Sequence, residues 1–139
     1  IPAGKKKSMK SPITGLPNGY EGLLVIAGAG STPYYCPPMN EYINPNAAHN
    51  GDKNPSIWCF VWPAGSDYNC CGWFIFTHYP DKIVPDNVDV HEDHRRRGIA
   101  SSVYLFVRKK IGTKLVPAVD QQDAARKLWS KLAPDVGYL

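Results

Sequence analysis

The densest group of reactive side chains in this 139-residue sequence is Val88-Asp89-Val90-His91-Glu92-Asp93-His94-Arg95-Arg96-Arg97-Gly98-Ile99-Ala100. Polar and apolar residues alternate over 87–91, which predicts the end of a strand. Ile99, Val103, Phe106, Val107 and Ile111 then recur at helical spacing as far as Gly112. The basic run therefore falls at the turn from strand to helix. The first amides of a helix lack intrahelical partners and carry partial positive charge, so they receive phosphate oxygens. Three guanidinium groups add cationic forks at that point, and Gly98 lets the loop turn and the backbone approach a ligand closely. The chemistry on offer is a pyrophosphate cradle, with a solvated charge run as the bland alternative. Just upstream, Asp89, His91 and Glu92 are the groups able to move a proton, because imidazole titrates near neutrality and burial raises a carboxylate.

Other constellations are weaker. His91-Glu92-Asp93-His94 resembles the zinc pattern His-Glu-x-x-His, but that pattern needs a helix, and Arg95 stands where its second histidine belongs. No metal is expected, although Asp89 and His91 share a strand face. Gly28-Ala29-Gly30 follows a strand, yet Pro33 replaces the third glycine of a dinucleotide fingerprint and Pro37-Pro38 forbid the helix that would receive the phosphates. Cys36, Cys59, Cys70 and Cys71 form no Cys-x-x-Cys pair. They read as small buried hydrophobes in a reducing cytoplasm, with Cys70 and Cys71 pointing to opposite faces of a strand.

The elements that must position the basic loop are legible around it. Ile57–Trp62 and Gly72–Thr77 are aromatic and β-branched and predict a hairpin across 63–69. Leu23–Ala27 predicts a further strand. Leu115–Val119 predicts a strand after the helix, and a last helix opens at Asp120, with Ala124, Ala125, Leu128, Trp129 and Leu132 on one face and Pro134 as its stop. Residues 31–55 carry too many prolines for a helix and predict a long irregular stretch. The first 20 residues, with Lys5-Lys6-Lys7, predict a flexible basic arm. The order is an α+β arrangement with one βαβ crossover, in a single domain spanning 1–139.

Composition limits the partners. Hydrophobic residues make up 43% and charged ones 20%, which excludes disorder, collagen and coiled coil for the whole chain. No apolar run approaches the ~18 residues of a membrane span, and no apolar run follows the early lysines as a signal peptide requires. The net charge of +4 is unevenly placed: residues 1–90 carry 6 basic and 7 acidic groups, residues 91–139 carry 10 and 5. An anionic partner is expected at the C-terminal third, either a nucleic acid or a phosphorylated cofactor.

Arg95-x-x-Gly98-x-Ala100 resembles the acyl-CoA loop of the GNAT superfamily of N-acetyltransferases, Arg/Gln-x-x-Gly-x-Gly/Ala. Val88-Asp89-Val90 is similar to the Val-x-Val strand ending that precedes that loop. The downstream helix, strand and helix follow in the family's order, so the resemblance covers roughly 57–132. It implies a mixed, mostly antiparallel sheet flanked by helices, with an acyl-CoA-binding core over 88–132 and an irregular Pro/Asn-rich N-terminal part. It further implies acetyl-CoA, or another acyl-CoA, as co-substrate. Backbone groups of Val88 and Val90 would pair with the pantetheine arm. The amides of Arg95, Arg96, Arg97, Gly98, Ile99 and Ala100 would hold the pyrophosphate, with the Ser101 hydroxyl beside them and Lys127 and Lys131 near the remaining phosphate.

The implied reaction is direct attack of an amine on the thioester, with His91 or Asp89 as the base. The family often uses a tyrosine as acid in the last helix. Trp129 stands at that position here, which leaves Tyr104 or Tyr138. The acceptor is an amine-bearing small molecule or protein, and Tyr34, Tyr35, Cys36, Glu41, Tyr42 and His49 are expected on its side. With Leu139 as the last residue there is little room for the family's closing strands, which would leave an edge for a second copy to cover as a homodimer. Two alternatives stand beside this reading. One is a non-catalytic acyl-CoA-binding protein. The other is a nucleic-acid-binding module built on Arg95–Arg97 and Arg108-Lys109-Lys110.

Overall fold

The computed structural model describes residues 9–28, 54–66, 70–117 and 123–132. Among these described residues, five strands, β1 (Met9–Pro12), β2 (Tyr20–Ala27), β3 (Ser56–Pro63), β4 (Gly72–His78) and β5 (Ile83–Val90), are followed by a one-turn 3-10 helix at Glu92–His94. Two α-helices complete the set, α1 (Ile99–Ile111) and α2 (Asp123–Leu132). The strands form one sheet in sequence order, each antiparallel to the next. The class is α+β. No described helix is long and apolar enough to cross a membrane.

β3 and β4 are continuous apolar runs rather than alternating ones because both faces of the sheet centre are buried. Their register sorts the side chains. Trp58 opposite Ile75 and Phe60 opposite Trp73 share one face, with Val25, Trp62 and Cys70. Ile57 opposite Phe76 and Cys59 opposite Phe74 share the other, where Ile99, Val103, Tyr104 and Val107 of α1 close the core. Truncating a buried aromatic such as Phe76 to alanine would cost about 3–5 kcal/mol. Cys70 and Cys71 belong to the two different faces, as their adjacency predicts.

α1 runs over the residues that the spacing marks, from Ile99 to its stop at Gly112, whose N–H donates to the Arg108 carbonyl at 3.0 Å. The crossover returns at Leu115, which makes a parallel bridge to Ile83. Of the strand expected over 115–119, the described residues show that bridge and two bonds, Ile83 N–H to the Lys114 carbonyl at 2.7 Å and Val116 N–H to the Ile83 carbonyl at 2.9 Å. Residues 118 and 119 lie outside the described residues, as does Asp120, and α2 is described from Asp123.

Two expectations about boundaries need correction. The flexible arm expected over 1–20 is, from Met9 onward, part of the sheet. β1 pairs with β2 from Met9 opposite Ile26 to Pro12 opposite Leu23, and Ile13 enters the core at 7% exposure. Gly22 makes this possible: a Cβ there would lie 2.9 Å from the Phe60 carbonyl oxygen and 3.0 Å from Ile13 Cδ1. The second correction is that β5 begins at Ile83, four residues earlier than the alternation reveals, and ends before His91. Pro85 hides it, and Asp86 interrupts it as a bulge: Phe76 pairs with Pro85 while Ile75 pairs with Asn87. The Asp86 carboxylate accepts a hydrogen bond from the buried Thr77 hydroxyl.

Candidate functional site

β5 is the last strand of the sheet, and its outer edge is where the basic loop departs. In an antiparallel pair, alternate residues turn both backbone groups toward the partner. His91 N–H donates to the Cys71 carbonyl at 2.7 Å, so Asp89 and Asn87 also bond inward to β4. Val88 and Val90 therefore turn their N–H and C=O groups outward. The Val90 carbonyl accepts from Arg95 Nε at 2.7 Å. Among the described residues no strand pairs with β5 beside Val88 and Val90, whereas at the other end Ile83 is bridged to Leu115.

The loop after β5 is tightly folded. His91 caps the 3-10 turn, its Nδ1 accepting from Asp93 N–H at 3.3 Å, and His94 N–H donates to the His91 carbonyl at 2.8 Å. Arg95 is extended, then Arg96 takes a φ of 63° and Gly98 a φ of 85°. These left-handed residues turn the chain into α1. Arg96 is the one non-glycine at positive φ among the described residues, a conformation costing about 1–2 kcal/mol and concentrated in functional segments. Gly98 is needed for its φ, and within the protein a Cβ there would meet nothing nearer than Pro17 Cγ at 4.0 Å.

The first intrahelical bond of α1 runs from Ser102 N–H to the Gly98 carbonyl at 3.1 Å, and the Ser102 hydroxyl donates to the same oxygen at 2.7 Å. The amides of Ile99, Ala100 and Ser101 come before that bond, and no acidic residue stands in the first turn. The Ile99 side chain is buried and Ala100 packs on the core, so these residues present backbone rather than side chain. Arg95, Arg96, Arg97 and Gly98 are exposed. Arg95 bends back to β5, reaching Asp89 Oδ1 at 3.3 Å as well as the Val90 carbonyl. Both partners of that ion pair are roughly half exposed, so it contributes under about 1 kcal/mol and serves mainly to orient. Arg96 and Arg97 are exposed cations just ahead of the first turn of α1.

On the sheet face that carries Trp73, an open pocket of about 200 Å³ is lined by Trp73, Asp89, His91, Glu92 and Arg95. Asp89 sits opposite Trp73 in the register, and His91 is 41% exposed. His91 Nδ1, which accepts the Asp93 amide, is engaged within the loop itself. The Asp93 carboxylate lies 3.6 Å from the same Nδ1.

The two tyrosines expected as acids fare differently. Tyr104 is a core residue, 2% exposed, its ring edge-on to Phe74 and Phe76 with centroid distances of 6.3 Å and 5.7 Å. Burial pushes its hydroxyl well above the usual tyrosine range, and it faces the α1 side of the sheet rather than the pocket. This placement gives Tyr104 a packing role and corrects its candidacy. Tyr138 lies outside the described residues, as do Tyr34, Tyr35, Cys36, Glu41, Tyr42 and His49. Lys127 and Lys131 are exposed on α2. Cys59 is raised by burial. Cys71 is raised by burial too, with its backbone hydrogen bond and the charge of Arg97 acting the other way.

Two residues of this neighbourhood have no signal in the linear sequence. Trp73 reads as one more apolar strand residue, yet it forms a wall of the pocket. Tyr20, 74 positions from His94, hydrogen-bonds its Nδ1 at 2.8 Å, the two rings meeting edge-on at 5.6 Å. Among the described residues no three His, Cys, Asp or Glu side chains are grouped to hold a metal ion. Comparison with known proteins finds no family model and no curated protein that the chain matches.

Proposed function

We propose that this protein is an acyl-CoA-dependent N-acyltransferase of the GNAT type, using acetyl-CoA and an amine acceptor. The observation that carries the reading is the continuity of one polar surface: the outward backbone of Val88 and Val90 runs directly into a loop that delivers the free amides of α1. Among the described residues β5 has a parallel neighbour at Ile83 and no paired strand from Val88 onward, which is consistent with the mixed sheet of that family. Extended pantetheine fits an open strand edge, and a pyrophosphate fits a helix N-terminus flanked by Arg96 and Arg97. Acyl-CoA brings an activated thioester. The chain's part is to hold it by backbone, to stabilise the developing oxyanion with an outward β5 amide, and to take the amine proton at the pocket beside Asp89, His91 and Glu92. A reducing cytoplasm is the setting we assign it, one that suits the buried Cys59 and Cys71 thiols. The acceptor is a small molecule or a protein, and a second copy covering a sheet edge would make a homodimer.

Isothermal calorimetry with acetyl-CoA tests the reading, with saturable binding as the expected result. A folded sample that takes up no acetyl-CoA removes it. A second reading, a non-catalytic acyl-CoA binder, draws on the engaged Nδ1 of His91 and the buried Tyr104. It expects binding without thiol release across a broad amine panel, and turnover with any amine eliminates it.

A further inference from the structure

Tyr20 lies at the start of β2, far in sequence from the basic loop, and yet its hydroxyl reaches the middle of that loop at His94. Apart from His91 N–H on the Cys71 carbonyl at the start of the segment and the Gly98 carbonyl that opens α1, the other bonds found for residues 91–98 among the described residues tie the segment to itself or to β5: the His91 cap, the His94 amide on the His91 carbonyl, and Arg95 on Val90 and Asp89. Across the gap to the β1–β2 turn there are two contacts, Tyr20 OH to His94 Nδ1 at 2.8 Å and Pro17 Cγ 4.0 Å from the Cβ position of Gly98. Tyr20 is itself well held. It pairs with Pro63 in the β2–β3 ladder, its N–H donates to the Pro17 carbonyl at 3.3 Å, and its ring packs on the core. His94 closes the 3-10 turn one residue before Arg95, and Arg96 follows in its strained left-handed conformation. A contact on His94 therefore constrains the backbone where the strain is stored.

We infer that Tyr20 is a positioning residue for the phosphate-binding loop: through His94 it preorganises the left-handed turn that aims the α1 amides at a pyrophosphate. The inference rests on the acyl-CoA reading above. Without the hydroxyl the loop can relax from its binding geometry, and binding must then restore it. The phenol ring itself remains in Tyr20→Phe, so the core contact is kept.

The test compares the full chain and Tyr20→Phe by calorimetry with CoA and with pantetheine, which lacks the pyrophosphate. CoA affinity is expected to fall about tenfold in the variant while pantetheine affinity and melting temperature hold. Equal losses for both ligands, or a CoA affinity that does not change, overturn the inference. A double-mutant cycle with His94→Ala guards against a folding defect. If the link is real, the double variant loses no more CoA affinity than either single one, and additive losses overturn it. The two readings fail separately. A wild-type protein that binds no CoA removes both, whereas a wild-type protein that binds CoA as well as Tyr20→Phe does removes this one alone.

Discussion

The two ends of α1 are built on opposite electrostatic plans. At the C-terminus, Arg108, Lys109 and Lys110 face the partial negative charge of the last carbonyls, and Gly112 closes the helix by bonding to the Arg108 carbonyl. Each such cation contributes about 0.3–1 kcal/mol, and none needs a ligand to do so. At the N-terminus, Arg95, Arg96 and Arg97 precede unpaired amides of the same sign, with no acid in the first turn and a strained Arg96 among them. Arg95 finds Asp89, but the other two stand exposed. One end stabilises the fold. The other end is left unfavourable in a way that an anion would relieve, which is the contrast on which the proposed phosphate site rests.

Charge reversal should separate the two ends most clearly. Arg96→Glu with Arg97→Glu is expected to weaken CoA binding about a hundredfold, the loss of two charge-assisted contacts, with little change in melting temperature. Lys109→Glu with Lys110→Glu is expected to do the reverse, leaving CoA binding intact and costing about 1 kcal/mol of stability on chemical denaturation. Equal effects of the two double variants on CoA affinity would dissolve the contrast. A smaller effect comes from the glycines. Gly98 and Gly112 have nearly the same left-handed φ, 85° and 79°, so alanine at either should cost about 1 kcal/mol. Only Gly98→Ala should also weaken CoA binding, because only it shifts the amides of the cradle. The smallest expected effect is that of Tyr104→Phe. If Tyr104 is a packing residue beneath α1, acetyl transfer should stay within about twofold of wild type. A large fall in kcat, with KM for acetyl-CoA unchanged, would restore the phenol as an acid.

The same contrast explains what the linear sequence discloses. α1 is legible from end to end because its periodicity and Gly112 are local signals, and the aromatic runs of β3 and β4 are equally local. The Arg-x-x-Gly-x-Ala loop is legible as a strand-to-helix turn with cations at the positive end of a helix dipole, and the site proposed there rests on that local signal. β1 is not legible, since Met9–Pro12 joins the sheet only through pairing with residues 23–26 and carries lysine and proline that blunt an edge. Arg95 reads as a phosphate ligand but folds back on Val90, a consequence of where the 3-10 turn leaves its side chain. The pocket escapes notice because Trp73 and Asp89 meet only through the β4–β5 register.

That register depends on the bulge at Asp86. Before it, Ile83 faces the α1 core; after it, Val88 and Val90 do, and odd numbers have given way to even. A single inserted residue has changed the phase of the strand. In an unbroken strand, Asp89 and His91 would be driven beneath α1, and Val88 and Val90 would offer their backbone to β4 instead of the open edge. The same extra residue thus assigns the valines to the core, the ionisable groups to the pocket and the free amides to the open edge. The chemistry at the end of β5 is decided by a counting step several residues before it.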